Sequence, residues 1–403
     1  MERLRSMNVL AVMPPDRWME INLLETLRDH YCDHLEVFTY PGGMGRLGSK
    51  AWRDQRDQLN EELVRLAKTL KAADRLDLIF FIVYDDFLLV DTARQLRALQ
   101  VPMINYHVDM AFQWYRVIRT APYFDVLAVA QLTNSEHLKR YNDQIVWMPM
   151  AANPKYYAPK GGISSGYQQA VSFVGSFNPY RRALLKACVQ QGIKPVVFGR
   201  GWHPHEPRNY EFDWDWHKVL HDLRYYAWPR WLAEGSQSLT GPVQRKLARR
   251  HLFYDLDGPE FHPPCTDEAL PNMFRSSCVN LGFSDTGWHA EETVLGSNNL
   301  QCRLRDFEVP MSGGFYLVQR APDHEEYYRL GREIETWSEP GELVEKALFY
   351  SRHPREAERI REAGHARVFE CHTWRHRFDN LFKQCELTRR PMHVYQGMRY
   401  GTT

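Results

Sequence analysis

The stretch RDFEVPMSGGFYLV, residues 305–318, sets an arginine and a glutamate three positions apart, ahead of a double glycine and an apolar run. Positions three apart share one face of a helix, and residues 315–318 read as a short buried strand of a parallel sheet. Arg305 and Glu308 can pair with each other, or they can face one ligand together. Such a ligand would have an anionic end for the guanidinium and a hydroxylated end for the carboxylate. A second candidate for anion chemistry is VSFVGSFNPYRRALL, residues 171–185: a strand, a Gly175–Ser176 turn, and a helix opening near Tyr180 and Arg181. The N–H groups and positive dipole of such a helix end attract phosphate, and Arg181 and Arg182 would add charge-assisted bonds. A plain strand-to-helix turn with a solvated arginine pair would look the same. The segment is neither G-x-G-x-x-G nor a P-loop, so NAD or ATP held in those ways is not expected.

Other segments carry weaker signals. FGRGW, residues 198–202, ends a strand with two glycines and an aromatic, so Gly199 and Trp202 could border a ligand or simply admit a neighbouring backbone. INYHVDMAF, residues 104–112, sets His107 and Asp109 at the end of an inner strand, either as a buried pair holding a loop or as groups that orient or deprotonate a hydroxyl. DWDW, residues 213–216, has the Asp-x-Asp spacing of a divalent-cation site but does not end an apolar strand. His203, His205, Glu206, His262 and Cys265 lack the ligand spacing of a zinc site. No metal site is therefore expected. The run QRKLARRH, residues 244–251, reads as a solvated helix face, with an anionic acceptor as the lesser reading.

Those residues need elements to hold them. Strand candidates at residues 8–13, 35–39, 78–84, 103–107, 126–130 and 145–148 alternate with amphipathic stretches such as 57–72 and 90–99, the pattern of a parallel sheet with helices on both faces. PMAANPKYYAP, residues 149–159, followed by GGISSG, has a linker composition. A second alternation follows: strands at 171–175 and 195–198, a helix at 181–191 ended by Gly192, then patterned segments at 270–283, 303–318, 342–350 and 355–369. Two tandem α/β domains would form a cleft between the carboxyl ends of their strands, where ligands of open sheets bind. The expected division is 1–155, then 165–385 with an aromatic-rich insertion at 203–265 (Trp214, Trp216, Trp228 and Trp231), and a tail at 386–403 that could pack back on the first domain.

A length of 403 residues suits two domains of about 200. With 44% apolar residues, 25% charged residues and a net charge of +1, no global bias argues for nucleic acid or an acidic surface. Seven cysteines without C-x-x-C spacing suit free thiols in a reducing compartment. The basic start MERLRSMNVLAVMPP has too brief an apolar run for a signal peptide, and LIFFIVY, residues 78–84, is far short of a membrane span. A cytoplasmic protein with at most peripheral membrane contact is the expectation.

Taken together, FVGS with its arginine pair, FGRGW, LPNMFRSSCVNLGF, RDFEVPMSGGFYLV and the tail landmarks GREIETW and HTWRHR occur in an order that resembles the CgeB-type (spore-maturation-protein-like) glycosyltransferases. These are a GT-B-fold group related to glycosyltransferase family 4. The resemblance is strongest over residues 270–382, moderate over 171–202, and only in outline before that. It implies a nucleotide-sugar donor on the C-terminal domain, with Glu308 accepting from the ribose hydroxyls and Arg181 or Arg182, together with Arg305, neutralising the diphosphate. Family 4 carries a second glutamate eight positions earlier. Here that position is Leu300, and the loop GSNNLQCR, residues 296–303, ending in Arg303, could supply sugar contacts instead.

The resulting expectation is a two-domain GT-B glycosyltransferase, metal-independent and without a cofactor beyond its nucleoside-diphosphate-sugar co-substrate. Gly175, Ser176, Arg181, Arg182, Gly199, Trp202, Arg303, Arg305 and Glu308 would surround the donor. Retention of configuration is favoured; if the enzyme inverts, Asp109 or His107 is the base. The sequence leaves open a sugar-nucleotide epimerase, a non-catalytic binding module, and an acceptor that is a glycan, a small molecule or nucleic acid. It does not name the oligomeric state.

Overall fold

The computed structural model of the protein describes residues 7–41, 46–159, 167–202, 215–235, 258–285 and 300–385. Six strands make the first sheet: β1 (Met7–Met13), β2 (Cys32–Thr39), β3 (Leu78–Phe81), β4 (Met103–His107), β5 (Val126–Val129) and β6 (Ile145–Trp147). They lie in the order β2-β1-β3-β4-β5-β6, and every pairing is parallel. The second sheet holds β7 (Gln169–Val174), β8 (Val196–Phe198), β9 (Glu260–His262), β10 (Ser277–Gly282), β11 (Tyr316–Gln319) and β12 (Glu335–Trp337). Its order is β12-β11-β10-β7-β8-β9, again all parallel. This is the two-sheet α/β architecture expected from the alternating pattern.

Strands covered on both faces must be apolar throughout, which is why the runs show little alternation. In β1, Val9, Ala11 and Met13 enter one core while Leu10 and Val12 enter another. The first of these cores is shared between the halves of the chain: it joins β1 and β4 residues to Phe307, Val309, Tyr316 and the closing helix Trp374–Gln384. That helix lies against the first sheet's side. The Tyr31 hydroxyl donates to the Asp379 carboxylate at 2.8 Å, and Trp374 meets Tyr106 edge-on at 6.1 Å. Half-buried Arg377, on the same helix, donates to the carbonyls of Pro149 and Met150 at the connection between the sheets.

Two features depart from the sequence expectation. The region expected as an insertion contains an edge strand of the second sheet, β9, which pairs with β8 through Val197 and Phe261. Its helical part, Trp216–Asp222 with Leu223–Ala227 and Trp228–Glu234, packs on the first half of the chain. There Tyr225 accepts from Arg56 at 3.0 Å, His221 meets Trp52, and Tyr226 covers the Arg116 guanidinium. The expected tail, the GSNN part of the 296–303 loop and the basic run at 244–251 lie outside the described residues, as do His203, His205, Glu206, Asp213 and Trp214.

Candidate active site

The site is built on the carboxyl ends of β7, β8, β10 and β11. After β7 the chain turns at Gly175 and Ser176, and Asn178 starts the helix Pro179–Gln190 by accepting from the Arg181 backbone N–H at 2.8 Å. Asparagine at the N-cap with proline at the first helical position is a strong local start signal. The Arg181 side chain reaches back to the Ser176 carbonyl at 2.8 Å and lies 3.9 Å from Asp285, which sits just past β10 and is fully buried. Asn178 donates to the same carboxylate at 3.2 Å, and Arg303 donates to the Asp285 carbonyl. Arg181, Asn178, Asp285 and Arg303 thus form one polar cluster at the strand ends. Arg182, the next residue of the helix, is buried.

Gly199 follows β8 at the closest approach of two backbones. A Cβ placed there would stand 2.0 Å from the Gly175 carbonyl oxygen. The neighbouring backbone therefore explains this glycine. Trp202 likewise differs from the expectation of a ligand contact: its ring is in the core against Phe173, Phe177 and Phe261, and its indole N–H donates to the Gly175 carbonyl at 2.8 Å. It braces the turn from below.

Arg305 and Glu308 lie on the helix Arg305–Met311, and they do face each other: the guanidinium donates to Glu308 Oε2. Glu308 has no exposed side-chain surface, while Arg305 retains 33%. The other oxygen, Oε1, accepts from the Tyr157 hydroxyl at 2.5 Å. Tyr157 ends the short helix Pro154–Tyr157 in the connection between the sheets. That helix is tied to the first half of the chain. The Asn153 side-chain amide donates to the Ile21 carbonyl at 2.6 Å, its backbone N–H donates to Asn22 Oδ1 at 3.2 Å, and Lys155 bridges Glu25 and Asp29. The Tyr157–Glu308 bond therefore crosses between the halves. Tyr157 was missed in the sequence because 151 residues separate the partners.

Facing these groups, the two base candidates differ. His107 is buried and has both ring nitrogens engaged: Nδ1 accepts from the Asp109 N–H at 3.3 Å, so Nε2 carries the proton and donates to the Gln113 carbonyl at 3.0 Å. Burial lowers its pKa to about 3. With no lone pair to offer, His107 holds the loop, which corrects its placing as a base. Asp109 does reach across: its carboxylate accepts from Gln301 Nε2 at 3.2 Å. Gln301 adjoins Leu300, where the family 4 glutamate is missing, and Gln131 donates to the Cys302 carbonyl next to it at 3.2 Å.

A metal has one place to be tested among the described residues. Cys302, Asp306 and His324 are buried with ligand atoms within 4.8 Å of one another. His324 Nδ1 accepts from the Ala321 N–H at 3.0 Å, which places the ring proton on Nε2, 3.3 Å from Asp306. A metal would need a lone pair there, so the donor set does not fit one. Asp215, the remaining acid of the DWDW segment, is used as a helix cap accepting from the His217 N–H and as the partner of Arg46. His262 stacks on Phe198 and binds Glu260. No helix among the described residues is long and apolar enough to cross a membrane.

Residues 181–383, just over half of the chain, match the family model described as Glycosyl transferase-like. No curated protein matches the chain. Among solved structures, the chain resembles Anabaena Alr3699/HepE in complex with UDP and glucose, with a TM-score of 0.55 at 11% identity over 94% of this chain and 99% of that one. It also resembles sucrose-phosphate synthase from Thermosynechococcus elongatus, with a TM-score of 0.57 at 13% identity over 94% and 98%. A glycosyltransferase from Rickettsia africae gives 0.52 at 11% over 95% and 99%. At such identities these likenesses establish the fold, GT-B, while the family model establishes kinship. The chain belongs to the Glycosyl transferase-like family and is a glycosyltransferase.

Proposed function

We propose that the protein transfers a glycosyl group from a nucleoside-diphosphate sugar to an acceptor hydroxyl, without a metal. The observation that carries this reading is Glu308, a fully buried carboxylate at the carboxyl edge of the second sheet, paired with Arg305 on one oxygen and Tyr157 on the other. A vicinal diol of ribose would take the place of the tyrosine hydroxyl, and Arg305 would turn toward phosphate. Arg181 and the start of the Pro179–Gln190 helix would meet the rest of the diphosphate. The helix dipole and guanidinium groups would stabilise the charge that develops on the leaving diphosphate, the role a cation fills elsewhere. Arg182 and Arg303 would act through this cluster, and Gly175, Ser176, Gly199 and Trp202 would shape the turn.

The CgeB-type resemblance, over the motifs from FVGS to HTWRHR, refines the subgroup. The UDP and glucose held by HepE, a protein of the same fold, make a uridine nucleotide the first donor to try. Retention fits the engaged nitrogens of His107, which leave Asp109 as the one candidate base of the two. The experiment is a thermal-shift series with UDP, GDP, CMP and dTDP and their sugars, without metal, on the wild type, Glu308→Gln and Glu308→Ala. A nucleotide at a hundred times its Kd adds about 2.7 kcal/mol of apparent stability. One nucleotide should stabilise the wild type and lose its effect in both variants; a response that survives both would overturn the assignment of Glu308.

A further inference from the structure

The helical stretch Trp216–Glu234 has one buried face and one apolar exposed face. Inward, His221 and Tyr225 are buried against Trp52 and Arg56. Outward, Trp216 is 69% exposed, Leu220 63%, Leu223 52%, Trp228 57%, Trp231 39% and Leu232 61%. A π turn at Leu223–Ala227, closed by the Trp228 N–H on the Leu223 carbonyl, keeps these residues together. In an unbroken α-helix Trp228 would stand about 140° round from Leu223. The wider turn brings it back toward the same side, and Trp231 and Leu232 continue the stripe. Among the described residues these six are the exposed large apolar side chains of the stretch, and the Trp228 and Trp231 rings lie 5.0 Å apart.

We propose that this stripe seats the protein on the surface of an anionic lipid bilayer. Two tryptophan-leucine ends flanked by cations are the composition of an interfacial helix, with indole rings at headgroup level and leucines below. Lys218 and Arg224 are exposed beside the stripe, and Arg230 lies over the Tyr115 ring at 6.0 Å. Of the acids in the stretch, Asp215 is paired with Arg46, and Asp222 lies beside His221. The stretch lies on the bilayer and does not span it, since no described helix is long and apolar enough to cross.

The test is co-flotation of the full chain with vesicles of phosphatidylcholine alone and of phosphatidylcholine mixed with phosphatidylglycerol. Variants are the doubles Trp228→Glu/Leu232→Glu and Lys218→Glu/Arg224→Glu, with unchanged thermal melting as the folding control. Each cation near the surface is worth about 5-fold in partition, so the cation double, which removes two cations and adds two anions, should lose at least roughly 30-fold on the mixed vesicles and little on the neutral ones. The apolar double should lose binding to both. Absence of wild-type flotation on mixed vesicles, or flotation on them undiminished in either double, overturns the proposal. So does sedimentation showing a lipid-free dimer that the apolar double converts to monomer, because a second copy would then be the occupant.

Discussion

Replacing Tyr157 by phenylalanine tests how the donor site is closed. The substitution keeps the ring in the core and removes only the hydroxyl that donates to Glu308 Oε1 at 2.5 Å. A hydrogen bond to a charged group contributes about 1.5–3 kcal/mol. In the unliganded protein that amount is lost, because Glu308 has no exposed surface through which water could replace the donor. If the ribose diol displaces Tyr157, the liganded protein never had the bond, so the loss applies to one side of the binding equilibrium alone. Tyr157→Phe should therefore melt lower without ligand yet bind the donor nucleotide more tightly, by roughly 10- to 150-fold. Calorimetric titration of wild type and variant with UDP, alongside their melting curves, reads both quantities. Unchanged or weaker nucleotide binding would refute the displacement, because Tyr157 would then stay on Glu308 or contact the donor itself.

Acid should destabilise the protein through His107 and His372, each held neutral by burial with a pKa lowered to about 3. The unfolded chain binds those protons from about pH 6.5 downward, so each costs about 1.4 kcal/mol per pH unit below that point. Asp85 opposes this: burial raises it to about 7 although Arg119 and Thr120 donate to it, so the folded state gains stability as pH falls from 7 toward 4. The net expectation between pH 6 and 4 is about 1.4 kcal/mol lost per unit, checked by denaturant titrations; a flat profile would count against it. Gly199→Ala should cost at least about 2 kcal/mol and weaken nucleotide binding, because its Cβ meets the Gly175 carbonyl and not a flexible side chain. Asp109→Asn separates the stereochemical outcomes: turnover within a few-fold of wild type fits retention, and a loss of about 100- to 10,000-fold with an inverted product identifies a base. NMR of the product anomer reads the difference.

The first sheet was legible largely because β1, β3 and β5 hold apolar runs of four or more residues cut by charged and turn residues. Met103–His107 ends where the run ends. β9 and β12, three residues each, carry no such signal and were missed. The face shared by Arg305 and Glu308 followed from helical spacing, and the start of the Pro179–Gln190 helix from Asn178 and Pro179. What spacing could not reveal were contacts made at long range. Tyr157 reaches Glu308, Gln301 reaches Asp109, and the closing helix and the 216–234 stretch both cross to the first half of the chain. His107 and Trp202 have the residue types of a site, but their polar atoms are used by the backbone around them.

Release of nucleoside diphosphate tests the central claim most directly. The purified protein is incubated with UDP-glucose and the corresponding GDP and dTDP sugars, without acceptor or metal, and the free diphosphate is followed in time. Slow, saturable release from one donor, falling at least about 100-fold in Glu308→Ala, is the result expected of a transferase whose leaving group departs from this site. Release from none of them, or release undiminished in the variant, would contradict it.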